Sequence, residues 1–415
     1  MKILIIGSGG REHALTWRLA RDSQRHTLFA SPGNPGMALV ATLVPSGDGS
    51  PKAYLAAAES VGADLTVVGP EAPLVAGIVD VFRAAGRPIV GPDAAAARLE
   101  GSKIFAKQFL HDHKIPTAAF VSVDNVNDAR KALDRFSYPV VLKADGLAAG
   151  KGVIIAPDRN AALSAINTLG GRLVMEEFLR GEEVSYIALC DGANVVSLAP
   201  TQDHKAVFDG DNGPNTGGMG AYCDSGILTA AETETILNAV VLPTVAATCF
   251  AGFLYAGMMM TPDGPRVLEF NVRMGDPETQ PLMHRLKSDW APVLLAAATG
   301  GLAGANLKWS DDPSLCVVLA SRGYPGSYPT GIPITGIAQA EALGATVYHA
   351  GTKAGANGVE TSGGRVLGVT ASGPDLAAAQ RNTYAAVEKI HFEGMHYRRD
   401  IGSKGLKRYN ANVGT

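Results

Sequence analysis

Along residues 1–93, short apolar runs alternate with stretches that carry apolar residues at helical spacing. The runs lie at 2–6, 27–30, 65–68 and 89–90, and Gly or Pro closes them. Helical patterns fall between, as at 13–20 and 74–85. Strands that alternate with helices predict a parallel sheet with crossover helices. An open α/β sheet is therefore expected at the N-terminus.

The pattern then changes. Residues 92–103 begin a helical link. Residues 116–180 predict a small α+β lid. In it, strands at 139–142 and 153–155 flank a glycine-rich turn, a helix covers 158–169 and another strand covers 172–178. A larger α+β unit follows, with strands at 183–190 and 253–260 and a helix near 231–241. Its Pro262-Asp263-Gly264 segment predicts a hairpin turn. The last unit carries strands at 316–320, 345–350 and 364–370 and a helix over 374–390, and the tail from Lys404 reads as loosely ordered. The chain is thus expected to be multidomain, α/β and α+β, with units at 1–100, 101–312 (lid 116–180) and 313–415.

A length of 415 residues accommodates that division. The net charge of −3 offers no bulk positive field, so neither nucleic acid nor a membrane surface is an expected partner. Cys190, Cys223, Cys249 and Cys316 show no C-x-x-C spacing, which fits a reducing cytoplasm and argues against a zinc or disulfide framework. The opening apolar run is too short for a signal peptide, and no long unbroken apolar run predicts a membrane span.

The chemistry concentrates in residues 266–273. Read as a strand, the segment turns Leu268, Phe270 and Val272 to one face and Glu269, Asn271 and Arg273 to the other. A carboxylate and an amide oxygen suit a hard divalent cation, and a guanidinium beside them suits a phosphate or carboxylate. Met274-Gly275-Asp276-Pro277-Glu278 adds a polar turn with further carboxylates.

Upstream, Gly7-Ser8-Gly9-Gly10-Arg11-Glu12-His13 follows a strand and opens a helix, a place where backbone N–H groups can meet an anion. A dinucleotide fold is disfavoured, because Glu12 stands where the third glycine belongs and the second strand ends without an acid for the ribose. Loops at 31–34 and 69–73 leave the same sheet edge. In the lid, Lys143-Ala144-Asp145-Gly146-Leu147-Ala148-Ala149-Gly150-Lys151-Gly152 lacks Walker A spacing but can close over a triphosphate. In Glu176-Glu177-Phe178-Leu179-Arg180-Gly181-Glu182-Glu183, main chain can read an adenine edge, Leu179 can pack on the ring and Glu183 can take ribose hydroxyls. Asp203-His204-Lys205 has no serine or cysteine partner at a recognisable spacing, so no hydrolytic triad is assigned; His204 is expected to be structural and Lys205 functional.

With these residues in place, the chain resembles the ATP-grasp ligases, and within them the phosphoribosylamine–glycine ligase family of purine synthesis. The resemblance runs in order through 7–13, 68–74, 99–103, 143–152, 176–183, 202–205, 213–222, 269–280, 323–326, 349–353 and 363–365. The blocks 213–222 and 269–280 are its most specific parts. Val272 and Met274 depart from the family pattern, and residues 167–171 make a short lid segment.

The resemblance implies an N-terminal α/β domain, an ATP-grasp domain with a mobile lid and a small C-terminal domain. It implies ligation of glycine to 5-phosphoribosylamine with ATP through a glycyl phosphate. Glu269 and Asn271 would hold Mg²⁺ or Mn²⁺, with phosphates and water completing the shell, since the preceding strand offers no carboxylate. Lys103, Lys143, Gly146, Gly150, Lys151, Gly152, Glu176, Glu177, Phe178, Leu179 and Glu183 would bind the nucleotide. Arg273, Lys143 and Asp276 would act in catalysis. Gly9, Gly10, Arg11, Glu12, Asn34, Glu71, Asp203, Lys205, Asn215, Gly217, Gly218, Lys353, Gly364 and Arg365 would hold substrate, with Gly351 as a further closing residue. A monofunctional, bacterial-type monomer is expected. The rival expectations are an ATP-grasp ligase with another acceptor and a non-catalytic nucleotide sensor; the intact Lys143, Glu269, Asn271 and Arg273 argue against the sensor.

Overall fold

The computed structural model describes residues 1–147, 152–356 and 358–413. The N-terminal unit is a five-stranded parallel sheet of order β3-β2-β1-β4-β5. Its strands are β1 (Lys2–Gly7), β2 (Thr27–Pro32), β3 (Thr42–Leu43), β4 (Leu65–Val68) and β5 (Ile89–Val90). Helices α1 (Gly10–Leu19), α2 (Pro51–Val61), α3 (Glu71–Val75) and α4 (Ile78–Ala84) supply the crossovers. Ile3, Leu4, Ile5 and Ile6 are all fully buried, as a strand covered on both faces requires. The helix expected at 74–85 is broken, because Gly77 takes a left-handed φ of 82° between α3 and α4.

Helices α5 (Ala94–Gly101) and α6 (Lys103–Asp112) form the link. Each is capped by a side chain, Asp93 for α5 and Ser102 for α6. The lid sheet has the order β6-β9-β7-β8, from β6 (Phe120–Val123), β7 (Val140–Ala144), β8 (Val153–Ala156) and β9 (Leu173–Glu177). Helices α7 (Val126–Ala132) and α8 (Arg159–Leu169) pack on it through Ala129, Ala162 and Ile166.

The central sheet is nine-stranded, with the path β17-β16-β10-β12-β15-β18-β22-β19 and β11 paired to β10. The strands before residue 312 are β10 (Glu182–Asp191), β11 (Val195–Ser197), β12 (Thr201–Asp203), β15 (Gly220–Cys223), β16 (Ala251–Thr261) and β17 (Gly264–Asn271). A small ribbon of β13 (Ala206–Phe208) and β14 (Asn212–Asn215) branches from it. The strands after 312 are β18 (Ser314–Ala320), β19 (Thr346–His349) and β22 (Arg365–Ser372), with a hairpin of β20 (Thr352–Gly355) and β21 (Gly358–Thr361) beside them. Because β15 pairs with β18, one hydrogen-bonded sheet runs through both parts of the chain.

Three further expectations are corrected. The helix near 231–241 continues to Thr248: α9 (Ala230–Ile236) passes through a π-helical turn at Leu237–Val241 into α10 (Leu242–Thr248). Pro243 lacks an N–H, and the widened turn removes the need for its bond. Helices α11 (Thr279–Arg285), α12 (Ala291–Thr299), α13 (Ile337–Glu341) and α14 (Leu376–Val387) follow, and the tail is not loose but forms α15 (Ser403–Val413). Tyr409 Oη there donates to Asp224 at 2.6 Å and Lys404 Nζ lies 3.1 Å from Asp211. Finally, strict alternation fails in β17. A bulge sets Val267 opposite Met258 and Glu269 opposite Gly257. Val267, Phe270 and Val272 therefore enter the core, and Leu268 lines the cleft instead.

Candidate active site

A cleft of about 610 Å³ opens between the lid, the end of the N-terminal sheet and the β17 edge of the central sheet. Glu269 and Asn271 of β17 form one wall. Lys103 reaches it from the start of α6, Lys143 from β7 and Lys205 from the turn after β12. Burial would push the Glu269 carboxyl up, but Lys205, Lys143, Lys103 and Arg273 outweigh that and hold it at about 2. It is therefore a charged oxygen donor at neutral pH. Lys205 Nζ lies 3.5 Å from Glu269 Oε1 and also pairs with Glu183.

Arg273 stands just past the end of β17, and its neighbours fix it. Nη2 lies 3.0 Å from Glu100 Oε1 and donates to Asn271 Oδ1 at 3.0 Å; Nη1 donates to the Met274 carbonyl at 3.1 Å. Nε lies 3.5 Å from Glu71. Burial opposes its charge, while Glu100 and Glu71 raise its pKa above the usual arginine value. Asn271 thus presents its amide oxygen to a cation already.

A second cationic group surrounds Asp276. Arg365 Nη2 reaches Asp276 Oδ2 at 2.8 Å, and Arg365 Nη1 donates to the Asp276 carbonyl at 2.6 Å and the Gly217 carbonyl at 2.7 Å. Tyr324 Oη accepts the Gly217 N–H at 3.0 Å. The Gly217 backbone is clamped from both sides, by Tyr324 from the loop after β18 and by Arg365 at the start of β22. Burial would raise the Asp276 carboxyl, but Arg365 and Arg11 keep it below its ordinary value. Arg11 donates to Glu12 at 2.6 Å and to the Met274 carbonyl at 3.1 Å.

Deeper in the cleft, burial pushes Asp203 up to about 8, with Glu278 and Glu183 adding to the rise against Lys205. The Glu278 carboxylate accepts from Tyr255 Oη at 2.9 Å and Ser185 Oγ at 3.2 Å. His204 is fully buried, and burial, with Lys404 and Arg398, lowers its pKa to about 3, so it is a neutral ring in the interior.

Set against this geometry, three family models account for most of the chain: phosphoribosylglycinamide synthetase N domain at 1–100, ATP-grasp (A) domain at 101–279 and C domain at 314–404. The chain belongs to the phosphoribosylglycinamide synthetase family. It is 48% identical to the phosphoribosylamine–glycine ligase of Ralstonia nicotianae, over 98% of this chain and all of that one. Against the Escherichia coli K12 enzyme it is 47% identical, over 98% and 99% of the two chains. The crystal structure of the Thermotoga maritima ligase superposes with a TM-score of 0.85 at 34% identity, covering 97% of this chain and 100% of that one. N5-carboxyaminoimidazole ribonucleotide synthetase from Thermus thermophilus, at 20% identity, TM-score 0.65 and 93% and 98% coverage, shares the fold. A carbon–nitrogen ligase of the ATP-grasp type, using ATP in purine biosynthesis, follows from family membership.

For a phosphoribosylglycinamide synthetase, the residues singled out from sequence fall into separate sets. Glu177, Phe178, Leu179, Glu183 and Gly152 line the cleft with the lysines named above. Asp203, Asn215, Gly217, Glu71, Arg11 and Arg365 line it as well. Gly146 lines it and gives its carbonyl to Lys103 at 2.8 Å. Gly9 and Gly10 lie beside Asp276, where added Cβ atoms would stand 3.8 and 3.6 Å from its oxygens. Gly218 packs on Pro277 and Gly364 on the Tyr324 ring, both next to the cleft wall. Gly351 packs on the Gly363 backbone. Gly150 and Lys151 lie outside the described residues.

Other placements correct the expectation of direct contact. Asn34 does not face the cleft: its amide ties the Ser8 and His349 carbonyls at 2.8 and 2.9 Å and accepts the Met37 N–H. Glu12 is buried, with its carboxylate on the Gly9 N–H at 2.6 Å and on Arg11. It fills the crevice between β1 and β4, so closely that a Cβ at Gly69 would sit 2.0 Å from its Oε1. That crevice is where a dinucleotide fold would receive its pyrophosphate. Lys353 is half-exposed on the β20–β21 hairpin, 3.7 Å from Glu360. Glu176 lines the cleft but is pinned by Lys107 and Lys143 at 2.9 and 3.0 Å.

Sequence reasoning missed Lys107, Glu100, Tyr255 and Tyr324, which all line the cleft. Glu100 and Tyr324 lay in segments already singled out, at 99–103 and 323–326. Among the described residues no three His, Cys, Asp or Glu side chains form a metal-binding group. No helix among them is long and apolar enough to cross a membrane.

Proposed function

We propose that this cleft joins glycine to 5-phosphoribosylamine, with ATP converted to ADP and phosphate. The observation that carries the reading is the placement of Lys103, Lys143 and Lys205 around the charged Glu269, in one cleft with the Arg11–Asp276–Arg365 group. A triphosphate needs several cations close together, and a carboxylate held ionised among them suits a divalent cation riding on that triphosphate. Glu269 and Asn271 would hold Mg²⁺ or Mn²⁺. When bound, the metal would neutralise phosphate charge.

Chemistry requires that glycine's carboxylate become a better acyl donor. Its oxygen attacks the γ-phosphorus, the bond to ADP breaks, and glycyl phosphate forms. The amine of phosphoribosylamine then attacks the acyl carbon, and phosphate leaves as the amide forms. Lys143 and Lys103 meet the triphosphate, Leu179 and Phe178 border the base, and Glu183 stands at the ribose. Arg273, held by Glu100 and Glu71, places fixed positive charge where the transferring phosphoryl and the glycine carboxylate meet. Arg11 and Arg365 each keep N–H groups unengaged among the described residues and suit the anionic end of a substrate. Asp276, held ionised between them, suits an ammonium.

The test is ADP release from ATP and Mg²⁺ with glycine and freshly made phosphoribosylamine supplied or omitted in turn. Release that needs both, with glycinamide ribonucleotide found by mass, is the expected result. Equal turnover with other amino acids would assign another acyl donor, and ATP binding without ADP release under any condition would assign a sensor.

A further inference from the structure

One buried cluster lies at the lid's root. Lys107 of α6, Lys143 of β7 and Glu176 of β9 have side-chain exposures of 4%, 8% and 2%. A single carboxylate lies between the two ammonium groups, 2.9 Å from Lys107 Nζ and 3.0 Å from Lys143 Nζ. Each lysine has one further anchor. Lys107 donates to Thr117 Oγ1 at 2.6 Å, and Thr117 donates to the Val267 carbonyl at 2.6 Å. Lys143 donates to the Leu268 carbonyl at 2.9 Å, at the bulge of β17.

These three groups set two ammonium charges against one carboxylate in a place shielded from water, with Glu269 the next carboxylate to act on Lys143. Positive charge there is costly unless an anion completes it. A lone Glu176–Lys143 pair would be neutral and would hold the ammonium back from a phosphate. A second lysine on the same carboxylate changes that. Glu176 is shared, and Lys143 retains positive charge on the side that faces the cleft.

We propose that Lys107 is a positioning residue for the ATP phosphates, acting through Glu176 so that this carboxylate does not neutralise the charge Lys143 presents to them. This rests on the reading of the cleft as an ATP site. It assigns a role to a lysine that, on sequence alone, reads as a solvated helix residue.

The test is calorimetric binding of ATP and of ADP, each with Mg²⁺, to the full chain without glycine or phosphoribosylamine. Lys107→Met should weaken ATP binding about tenfold, the scale of one desolvated charge contact. Lys107→Met combined with Glu176→Gln removes both compensating charges, and binding should return to within about threefold of wild type. Glu176→Gln alone should bind at least as well as wild type. Turnover should show the Lys107→Met effect in KM for ATP, with KM for glycine unchanged.

The proposal is overturned if folded Lys107→Met binds ATP as tightly as wild type. It is also overturned if the double variant is as weak as the single one, which would mean that Lys107 touches the nucleotide directly or only supports the fold. Should Lys107→Met fail to fold, Glu176→Gln decides: a loss of ATP affinity overturns the idea. Binding with the expected dependence in a protein that makes no glycinamide ribonucleotide would support Lys107's role and overturn the proposed reaction.

Discussion

Glu269 Oε1 lies 3.5 Å from Lys205 Nζ, so the carboxylate proposed to hold the metal is also the acid on which the cleft's cations converge. The pairing keeps Glu269 ionised before any ligand enters. It also means that a neutral side chain there leaves Lys205 with Glu183 as its remaining close carboxylate. Glu269→Gln should lower kcat/KM by roughly a hundredfold or more, through lost metal and phosphate positioning. The melting curve should stay near wild type, since the side chain faces the cleft. Raising Mg²⁺ should recover part of the activity. A variant that turns over normally at low Mg²⁺ would remove Glu269 from the metal site.

Asp203 and Glu269 shift in opposite senses, and their effects on stability differ in sign. Asp203 is raised from 3.8 to about 8, so the folded state holds an extra proton between those values. Its contribution falls as pH rises through that window and is level above it. Glu269 is held at about 2, so its stabilisation is present above 4.5 and is lost as pH falls towards 2. Asp203→Asn should therefore gain on wild type as the pH of a urea titration moves from 6 to 8. A difference that stays flat across that range would contradict a raised Asp203.

Tyr324 holds the Gly217 N–H while Arg365 holds its carbonyl, so the turn at 215–218 is set by residues from after β18 and at the start of β22. Tyr324→Phe deletes one of those bonds and leaves the ring on Gly364. The expected cost is about 1 kcal/mol, appearing as a roughly two- to tenfold rise in KM for one of the acceptor-side substrates. KM for ATP should not change. Steady-state kinetics with each substrate varied in turn will separate the two.

Much of this arrangement was legible in the sequence, for identifiable reasons. Ile3–Ile6 form an unbroken apolar run that reads as a doubly covered strand, and Pro262-Asp263 between apolar strands reads as a turn. The Glu269–Asn271 face was also legible, because it needs only local alternation. Leu268 was misassigned because alternation assumes an unbroken ladder, and a bulge is decided by the partner strand. Lys107 escaped notice because a lysine on an amphipathic helix normally points to water, and its partner Glu176 is far along the chain. The fold of α15 was hidden for the same reason: its anchors Asp211, Asp224 and Glu182 are all distant in sequence. Asn34 looked like a ligand residue because a polar loop at the sheet's C-terminal edge usually is one. Tertiary contacts to Ser8 and His349 use its amide instead.

A close backbone approach joins the N-terminal sheet to the central one. Gly252, near the start of β16, has φ of 99°, and a Cβ there would lie 2.6 Å from the Gly91 Cα. Gly252→Ala combines left-handed strain with overpacking against backbone that cannot step aside. The expected loss is at least about 3 kcal/mol, seen as a melting temperature lower by several degrees. Glycine at both positions would then be required by packing, not by chemistry. Turnover per folded molecule at low temperature should remain near wild type.

The last helix bears on the nucleotide end of the cleft. Arg408 pairs with Glu182, which also accepts from Gln202 Nε2 at 3.0 Å, and Gln202 donates to the Glu183 carbonyl at 2.6 Å. Tyr409 Oη donates to Asp224 at 2.6 Å, and Leu406 packs against the main core. Glu183, at the proposed ribose position, therefore sits in a strand end that α15 holds in place. Deleting residues 403–415 should lower the melting temperature by several degrees, since it exposes apolar surface and leaves Asp224 without this donor. It should also raise KM for ATP more than KM for glycine. Arg408→Ala isolates the second effect, because it keeps the apolar contact of Leu406 and the Tyr409 bond. A rise in KM for ATP in the deletion but not in Arg408→Ala would place the coupling in the packing of α15 as a whole; no rise in either would separate the helix from the nucleotide site.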